Sequence, residues 1–366
     1  MGVAFYLLGA VFVLISGLLA FYLMWCFKKT ALLRRLACGS RKGEWLLSLL
    51  VLVLLTAVLT WSLSAFNAVV CLLHLAVFWL ISDGIIALVR RRKQLHPACS
   101  GALALLLTIS YLAVGWYLAH HAAQTHYSLH TEKEVTPLRI AQITDVHVGT
   151  IFDAEGFAER LRLVEAAKPD VLVVTGDFVD DSTTREDLLA ACEALGQVQT
   201  TYGTYFVYGN HDKGYRGAEQ RGWSAQDLEA ALENAGITIL EDEIVLLGEH
   251  YALIGRKDLS SRQRAETAAL AAGLEDRYTI VLDHQPSDYE AQAAAGVDLV
   301  LSGHTHGGQM LPINHVGEWL GANCRTYGYE RRNKTDFIVN SGIGSWEIPF
   351  KTGCKSEYVI IDIAGE

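Results

Sequence analysis

Four long apolar runs near the start of the chain constrain its fold most strongly. They cover roughly residues 3–27, 45–65, 67–89 and 99–119. Each is close to or above about 20 residues, the length that an α-helix needs to cross a bilayer. The first run has no basic residues ahead of it and leads into further apolar segments, which disfavours a cleaved signal peptide. We therefore predict a four-helix transmembrane region over residues 1–120, with only a tight hairpin at 62–67 between the second and third helices.

Basic residues are confined to two of the loops between these runs. They are Lys28, Lys29, Arg34, Arg35, Arg41 and Lys42 in the first loop and Arg90, Arg91, Arg92 and Lys93 in the second. Loops rich in Lys and Arg stay in the cytoplasm by the positive-inside rule, and a contact with anionic lipid there would need the same topology. The N-terminus is then outside, and four crossings place the chain after residue 120 outside as well.

Charge divides the chain near the end of the apolar region. Residues 1–129 carry ten basic and two acidic residues, whereas the remainder carries 20 basic and 38 acidic ones. Binding to a nucleic-acid backbone depends on Lys and Arg contacts with phosphates, so this acidic remainder argues against a nucleic-acid substrate. One of the two acids, Asp83, lies inside a predicted span, where a carboxylate is a candidate functional group. A contact with a neighbouring helix or a position near the interface is the better explanation of Asp83.

Short apolar runs alternate with helical patterns after residue 137, which predicts a layered α/β domain over 137–366. Helical periodicity covers 154–167 and 185–195. The run Ser224-Ala225-Gln226-Asp227 is a capping box, which opens a helix that reaches Asn234. The polar segment 121–136 is predicted to be a linker between the membrane region and this domain.

Five of the predicted strands are followed at once by side chains that bind metals. The clusters are Asp145-Val146-His147, Gly176-Asp177, Gly209-Asn210-His211-Asp212, Asp283-His284 and Gly303-His304-Thr305-His306. In an open α/β sheet, ligands bind at the carboxyl ends of the strands. Carboxylate, imidazole and amide oxygen suit borderline to hard divalent ions such as Mn, Fe or Zn, and no thiolate is in the set. One carboxylate that bridges two such ions would form a two-metal site for displacement at phosphorus.

This series of motifs resembles that of the calcineurin-like metallophosphoesterase superfamily. The extension Gly-His-Thr-His-Gly-Gly-Gln at 303–309 resembles the bacterial membrane-associated, YkuE-like branch. The resemblance covers roughly residues 137–363 and implies an αββα sandwich with a dinuclear metal centre. It departs from that branch at 353–357, where the usual Pro-Pro is absent, and this leaves the substrate open.

The resemblance also implies a role for each residue of the motifs. One metal would be held by Asp145, His147, Asp177 and His306, and the other by Asp177, Asn210, His284 and His304, so that Asp177 bridges. His211 would stabilise or protonate the leaving group, with Asp212 orienting it. Every ligand position is filled, which argues against a catalytically dead relative.

Two loops are candidates for substrate recognition. Arg216 and Arg221 lie in loop 213–223, where an arginine could grip a phosphate bidentately. A solvated flexible loop is an equally good interpretation. Loop 310–334 contains Trp319, Tyr327 and Tyr329, and such aromatic residues favour membrane interfaces. Lipid contact near the site and ordinary packing against the domain both stay open for this loop, with packing slightly favoured.

Together these features predict a membrane-anchored phosphoesterase whose catalytic domain lies outside the cytoplasm. It would hydrolyse a phosphomonoester or phosphodiester by metal-activated hydroxide attack. A lipid-linked or cell-envelope substrate fits the membrane anchor. One alternative is a UDP-2,3-diacylglucosamine-type pyrophosphohydrolase, which would need a cytoplasmic site. Another is a non-catalytic membrane sensor, which the complete ligand set and His211 disfavour.

Overall fold

The computed structural model describes residues 2–90, 98–261 and 263–366. These residues form two compact units, Met1–Val114 and Gly115–Glu366. The first unit is helical, and the division falls within its last helix. Its helices are α1 (Gly2–Phe27), α2 (Ala31–Leu36), α3 (Arg41–Ser62), α4 (Ala65–Arg90) and α5 (Ala98–His120). Three of the basic residues used to orient the spans, Arg91, Arg92 and Lys93, lie outside the described residues.

Four of the described helices are long and apolar enough to cross a membrane, which confirms the four predicted spans. They are Gly9–Phe27, Arg41–Ser62, Ala65–Val89 and Cys99–His120. The predicted hairpin is also present, since only residues 63 and 64 separate α3 from α4. There the hydroxyl of Ser64 accepts the backbone N–H of Asn67 at 3.1 Å and caps the start of α4. The short helix α2, which carries Arg34 and Arg35, was not predicted.

The carboxylate of Asp83, which is half-buried, accepts hydrogen bonds from hydroxyl groups on two other helices. Its carboxylate accepts a hydrogen bond of 2.8 Å from the hydroxyl of Tyr22 on α1. It also accepts one from Ser100 on α5. Polar contacts of this kind hold membrane helices together. The structure therefore supports the helix-contact interpretation of Asp83.

The second unit contains two six-stranded mixed sheets with helices between the strands. The first sheet has the order β1-β12-β2-β3-β4-β5 and the second the order β10-β11-β9-β8-β7-β6. Its strands are β1 (Ala123–Thr131), β2 (Leu138–Ile143), β3 (Val171–Thr175), β4 (Thr204–Val207), β5 (Thr238–Ile239), β6 (Glu243–Leu247), β7 (Tyr251–Gly255), β8 (Tyr278–Leu282), β9 (Leu299–Ser302), β10 (Gly328–Arg332), β11 (Thr335–Val339) and β12 (Glu357–Gly365). Its helices are α6 (Ala154–Ala166), α7 (Arg185–Gly196), α8 (Ala218–Arg221), α9 (Ala225–Asn234), α10 (Thr267–Ala271), α11 (Tyr289–Ala294) and α12 (Val316–Trp319). The predicted helices thus correspond to α6, α7 and α9, and Ser224 with Asp227 forms the predicted capping box.

Alternating side chains of the strands build two kinds of core. On β3, Val171 and Val173 face a core shared with the second sheet, whereas Leu172 and Val174 pack under α6, α7 and α9. The outer face of the second sheet is covered by α10 and α11, with Tyr289 buried against it. Side chains of a strand point to opposite faces in turn, so each sheet contributes one face to the shared inner core and the other face to an outer core under its helices. The result is the αββα sandwich that the resemblance implied.

The segment 121–136, predicted to be a linker, is part of the domain instead. It contains β1, which pairs in parallel with β12 over nine residues, from Ala123 opposite Glu357 to Thr131 opposite Gly365. Its side chains alternate between half-buried and exposed. An edge strand with one solvated face can be rich in polar residues. This explains why its composition suggested a linker.

Candidate metal centre

The five motif clusters converge because their strands are neighbours and run in the same direction. In the first sheet, β2, β3 and β4 are adjacent and parallel, and they end at Ile143, Thr175 and Val207. In the second sheet, β8 and β9 are adjacent and parallel, and they end at Leu282 and Ser302. The carboxyl ends of parallel strands meet at one edge of a sheet. The two sheets therefore bring their motif loops together at one edge of the sandwich.

One metal-binding group consists of Asp145, His147 and His306, whose ligand atoms all lie within 4.8 Å of one another in buried positions. Nε2 of His306 is 3.5 Å from Oδ1 of Asp145. Nδ1 of His147 donates to Oδ2 of Asp180 at 3.1 Å. Because this bond occupies Nδ1, the other ring nitrogen of His147 is left to face the centre, as in carboxylate–histidine–metal arrangements.

A second group consists of Asp177, His284 and His304. Nε2 of His284 lies 3.1 Å from Oδ2 of Asp177. Nδ1 of His284 donates to the carbonyl of Thr175 at 2.7 Å. A carbonyl can only accept, so Nδ1 carries the proton and the lone pair of a neutral His284 lies on Nε2.

Asp177 belongs to the second group and also lies close to the first. Its Oδ2 is 3.1 Å from Nε2 of His284 and 3.7 Å from Nε2 of His147, which belongs to the other group. Its Oδ1 accepts the backbone N–H of His211 at 2.8 Å. This carboxylate can therefore reach metals in both positions, as a bridging ligand must.

Several buried side-chain atoms of these residues are left without a hydrogen bond, and their chemistry fits divalent metals. Within residues 2–90, 98–261 and 263–366, no partner is found for Nε2 of His147 and His284, Nδ1 of His304 and His306, or Oδ1 of Asn210. A buried polar atom without a partner costs roughly 1–3 kcal/mol. Imidazole nitrogen, carboxylate and amide oxygen together form a donor set for Mn, Fe or Zn. The residues present therefore fit a pair of such ions.

The backbone of the ligand loops is strained in a way that aims the side chains inward. The left-handed region is occupied by Asp145 (φ 50°), His147 (45°), Asp177 (52°), His304 (72°) and His306 (49°). Such conformations cost of order 1–3 kcal/mol each for residues other than glycine and are concentrated at functional sites. Three of these ligands, His147, His304 and His306, thus carry both a strained backbone and an unpaired side-chain atom.

The glycines of two motifs are required by the closeness of neighbouring ligands. A Cβ atom on Gly209 would lie 2.2 Å from Oδ1 of Asp177, and one on Gly303 would lie 2.3 Å from Oδ2 of Asp145. Both distances are well inside van der Waals contact. This gives a steric reason for the glycine that precedes Asn210 and for the one that precedes His304.

Electrostatics prepares several of the ligands for metal binding. Burial opposes ionisation of Asp177, but His284 and His147 outweigh it and lower the pKa of the Asp177 carboxyl. Burial lowers the pKa of His304 to about 4 and also lowers the pKa of His306. Metals bind ionised carboxylates and neutral imidazoles. Asp177, His304 and His306 are therefore in the form that binds metals at neutral pH.

His211 lies beside the two groups and belongs to neither. Its half-buried ring is 5.2 Å from that of His147, 5.0 Å from that of Tyr215 and 5.2 Å from that of Trp346, measured between ring centroids. Burial lowers the pKa of His211. The ring is thus held among aromatic groups next to the centre, where it could meet a substrate.

Asp212 was expected to orient His211, but in the structure its carboxylate bonds to the backbone instead. Its two carboxylate oxygens accept four backbone N–H groups, those of Gly209 (2.7 Å), Phe178 (2.7 Å), Asp177 (2.9 Å) and Val179 (3.1 Å). In the described part of the chain, no hydrogen bond joins it to the His211 ring. Consecutive side chains diverge here, so Asp212 points into the protein while His211 stays half-exposed. Asp212 therefore holds the Asp177 and Asn210 loops together and does not orient His211 by contact.

The two arginines predicted to bind substrate differ in accessibility. The side chain of Arg221 is only 4% exposed, lies 3.7 Å from Asp181 and stacks over Trp223 at 4.1 Å. That of Arg216 is 66% exposed and lies 3.9 Å from the same Asp181. Arg221 therefore stabilises the loop from within, and this corrects its expected role as a phosphate ligand. Arg216, whose side chain is mostly exposed, can reach a ligand.

Some residues of the site were missed in the sequence. Asp180, which fixes His147, is a buried acid three residues after Asp177, and its spacing is the one signal that could have suggested it. Trp346, which flanks His211, lies in a segment without a recognisable motif. Asn210 was predicted, but the hydrogen bond that orients its amide was not. In this bond Nδ2 of Asn210 donates to the Tyr215 hydroxyl at 2.8 Å.

A polar cavity of about 260 Å³ opens beside Asn210. Among the residues that line it, Lys213 extends its ammonium to within 2.6 Å of Glu241. The remaining lining residues are Tyr208, Gly209, Asn210, Asp258, Ser260 and Ser261. The cavity is large enough for a small polar group attached to a phosphate that is bound at the centre.

The domain is similar in sequence to known metallophosphoesterases. A family model described as calcineurin-like phosphoesterase matches residues 138–308. An uncharacterized metallophosphoesterase of Helicobacter pylori is 32% identical over 236 residues, which are 63% of this chain and 60% of that protein. The Bacillus subtilis metallophosphoesterase YkuE is 25% identical over 74% of this chain and 97% of its own. A Danio rerio transmembrane protein with a metallophosphoesterase domain is 29% identical over 79% of this chain and 69% of its own.

The matches cover only part of the Helicobacter pylori relative and part of this chain. The chain spans about 60% of the length of the Helicobacter pylori relative. The matched segment 138–308, in contrast, contains every predicted metal ligand from Asp145 to His306. Since that segment also forms the site described above, the domain resembles the calcineurin-like phosphoesterases in both its sequence and its arrangement of ligands.

Proposed function

We propose that the protein is a membrane-anchored phosphoesterase that depends on two divalent metal ions. The observation that carries this proposal is that Asp177, a member of one His/Asp group, also lies 3.7 Å from His147 of the other. Two-metal sites of this kind serve in-line displacement at phosphorus. The four apolar helices and the resemblance to a transmembrane relative support a membrane location.

Each group would hold one ion. Asp145, His147 and His306 would bind the first, Asn210, His284 and His304 the second, and Asp177 both. When bound, the two ions would supply an activated hydroxide and neutralise charge that develops on the phosphoryl oxygens. The chain fixes the ligands beforehand, because Asp180 and the Thr175 carbonyl orient His147 and His284.

His211 would act on the leaving group. It is not needed as a ligand, and its ring is held at the edge of the centre between Tyr215 and Trp346. An imidazole N–H at this position can donate to the leaving oxygen as its bond to phosphorus breaks. The polar cavity beside Asn210 would accommodate the group attached to that oxygen or to the phosphate, and Arg216 can approach from loop 213–223.

The substrate would be a phosphomonoester or phosphodiester, lipid-linked or part of the cell envelope. The membrane anchor supports this choice, since it keeps the site near such molecules. The basic residues between the spans support a domain outside the cytoplasm. A pyrophosphohydrolase acting on a UDP-linked diacylglucosamine would require the opposite topology.

The test is hydrolysis by the purified full-length protein. The substrates are p-nitrophenyl phosphate, bis(p-nitrophenyl) phosphate and phosphatidic acid, each with Mn²⁺, Fe²⁺ or Zn²⁺, and the matched control is Asp177→Asn. Hydrolysis by the wild type that the variant lacks supports the proposal. Stoichiometric binding of two ions without hydrolysis of any substrate would instead favour the sensor.

A further inference from the structure

Residues 311–320, the apolar loop, carry a group of large apolar side chains that are exposed to solvent. Trp319 is 72% exposed, and Leu311, Ile313 and Leu320 are also exposed. Exposed apolar residues are ordinary when single, but a contiguous set marks an interaction surface. The one charged residue of the loop, Glu318, is already engaged by the backbone of Thr326 and by His315 at 3.3 Å.

This loop is joined by hydrogen bonds to the end of the last membrane span. The N–H of Leu311 donates to the hydroxyl of Thr352 at 3.1 Å. Lys351, which directly precedes Thr352, donates its backbone N–H to the carbonyl of Gly115 on α5 at 2.9 Å. The approach is close, since a Cβ on Gly115 would lie 2.7 Å from Cγ2 of Thr352 and would displace that side chain. A second bond, from the N–H of Ser356 to the carbonyl of Leu118 at 2.8 Å, fixes the same segment.

The end of α5 carries the residues that mark a membrane interface. Trp116 and Tyr117 are exposed there, between Gly115 and Leu118. Trp and Tyr are enriched at the boundary between hydrocarbon and water, because their rings are apolar and their N–H and O–H groups are polar. The hydrogen bonds of segment 351–356 therefore hold the apolar loop beside the part of α5 that carries these residues.

The apolar loop also adjoins the metal centre. It begins two residues after Gln309, which follows the ligand His306 in the same motif. The Gln309 side chain donates to the hydroxyl of Ser345 at 2.8 Å and to the carbonyl of Ile348 at 2.7 Å. Between those two residues lies Trp346, whose ring flanks His211. One short segment, 345–352, thus contacts the span, the apolar loop and the leaving-group side of the site.

We propose that the apolar loop inserts into the lipid–water interface next to the end of α5. Its occupant is the lipid surface itself, because Thr352 and Lys351 link the loop to the end of α5, where Trp116 and Tyr117 are exposed. Together with the proposed function, on which this step rests, the placement names the substrate class. It is an amphiphilic phosphoester whose phosphate lies at the level of the lipid head groups.

The insertion can be tested without an activity measurement. The full-length protein in its native membrane would carry the photoreactive residue p-benzoylphenylalanine in place of Trp319. The matched control carries it in place of Leu189, an exposed apolar residue on α7. Illumination followed by mass spectrometry is expected to give lipid adducts at 319 and none at 189. Adducts at 319 that join only to the same chain or to a second copy, or equal lipid labelling at both positions, would overturn the proposal.

The substrate class needs a second experiment. The double variant Trp319→Ser, Leu320→Ser would be compared with Leu163→Ser, Leu189→Ser, which alters exposed apolar residues of α6 and α7. In nanodiscs containing phosphatidic acid, the first variant should lose roughly tenfold or more in kcat/KM, since each buried apolar side chain contributes substantially to binding. Hydrolysis of soluble bis(p-nitrophenyl) phosphate should be the same in both. An equal loss on both substrates, or a wild type that hydrolyses only the soluble substrate, would contradict the substrate class. A wild type inactive on both substrates would contradict the proposed function and leave the lipid-adduct result to stand alone.

Discussion

Oδ2 of Asp180 lies 3.1 Å from Nδ1 of His147, on the side of the ring that faces away from the metal centre. We expect Asp180→Ala to weaken metal binding by roughly 10–100-fold, because a carboxylate in this position fixes the ring and raises its basicity. Calorimetric titration of the metal-free full-length protein with Mn²⁺ would measure the change. The control is Glu186→Gln, an exposed acid nearby. Equal affinities for the two variants would show that Asp180 has no such role.

Asp177→Asn should weaken both metal positions at once, because one carboxylate oxygen lies near His284 and His147 together. The loss should exceed the roughly 10–100-fold that is typical of residues behind the ligands. Elemental analysis of the purified variant gives the number of ions per chain. A variant that keeps two ions and full activity would exclude a bridging role.

His211→Ala should separate metal binding from chemistry. Because the ring belongs to neither metal group, the variant should keep its metal content. Its kcat should fall by roughly 10²–10⁴-fold, the usual contribution of a positioned acid. Metal analysis beside steady-state kinetics checks both halves. If the ions are lost along with activity, His211 is a ligand and the assignment is wrong.

Acid should weaken the first sheet through Asp362. Hydrogen bonds from Arg139, at 2.7 and 2.9 Å, lower the pKa of Asp362 to about 2. An unfolded aspartate has a pKa of about 3.9, so the folded state binds this proton less readily. The stabilisation is therefore complete above about pH 4 and is lost as the pH falls towards 2. Thermal unfolding of wild type and Asp362→Asn should differ at pH 5 and converge near pH 2, and a constant difference would contradict the pairing.

The two exposed cysteines Cys38 and Cys324 can report the topology without any substitution. Cys38 lies in the first basic loop and Cys324 in the second unit. An impermeant thiol reagent added to intact cells should label Cys324 and leave Cys38 unlabelled until the cells are lysed. Cys324→Ser identifies the labelled site. The opposite pattern would place the domain in the cytoplasm and favour the pyrophosphohydrolase alternative.

Much of the site was predictable because its signals are local. Asp145, His147, His284 and the His304–His306 pair each follow a buried strand directly, and a strand end fixes which edge of the sheet a residue occupies. The four spans were predictable for a similar reason, since length and hydropathy alone decide whether a helix can cross a bilayer. Both kinds of signal lie within a few consecutive residues.

What the tertiary structure decided concerns contacts between residues distant in sequence. Asp212 bonds to the backbone of the β3 loop, Arg221 is covered by its own loop, and β1 becomes a strand because β12, more than 200 residues later, lies beside it. No local pattern records such pairings. A polar strand and a polar linker have the same composition until a partner supplies the hydrogen bonds, and a carboxylate's role depends on which donors the fold brings within 3 Å or so of it.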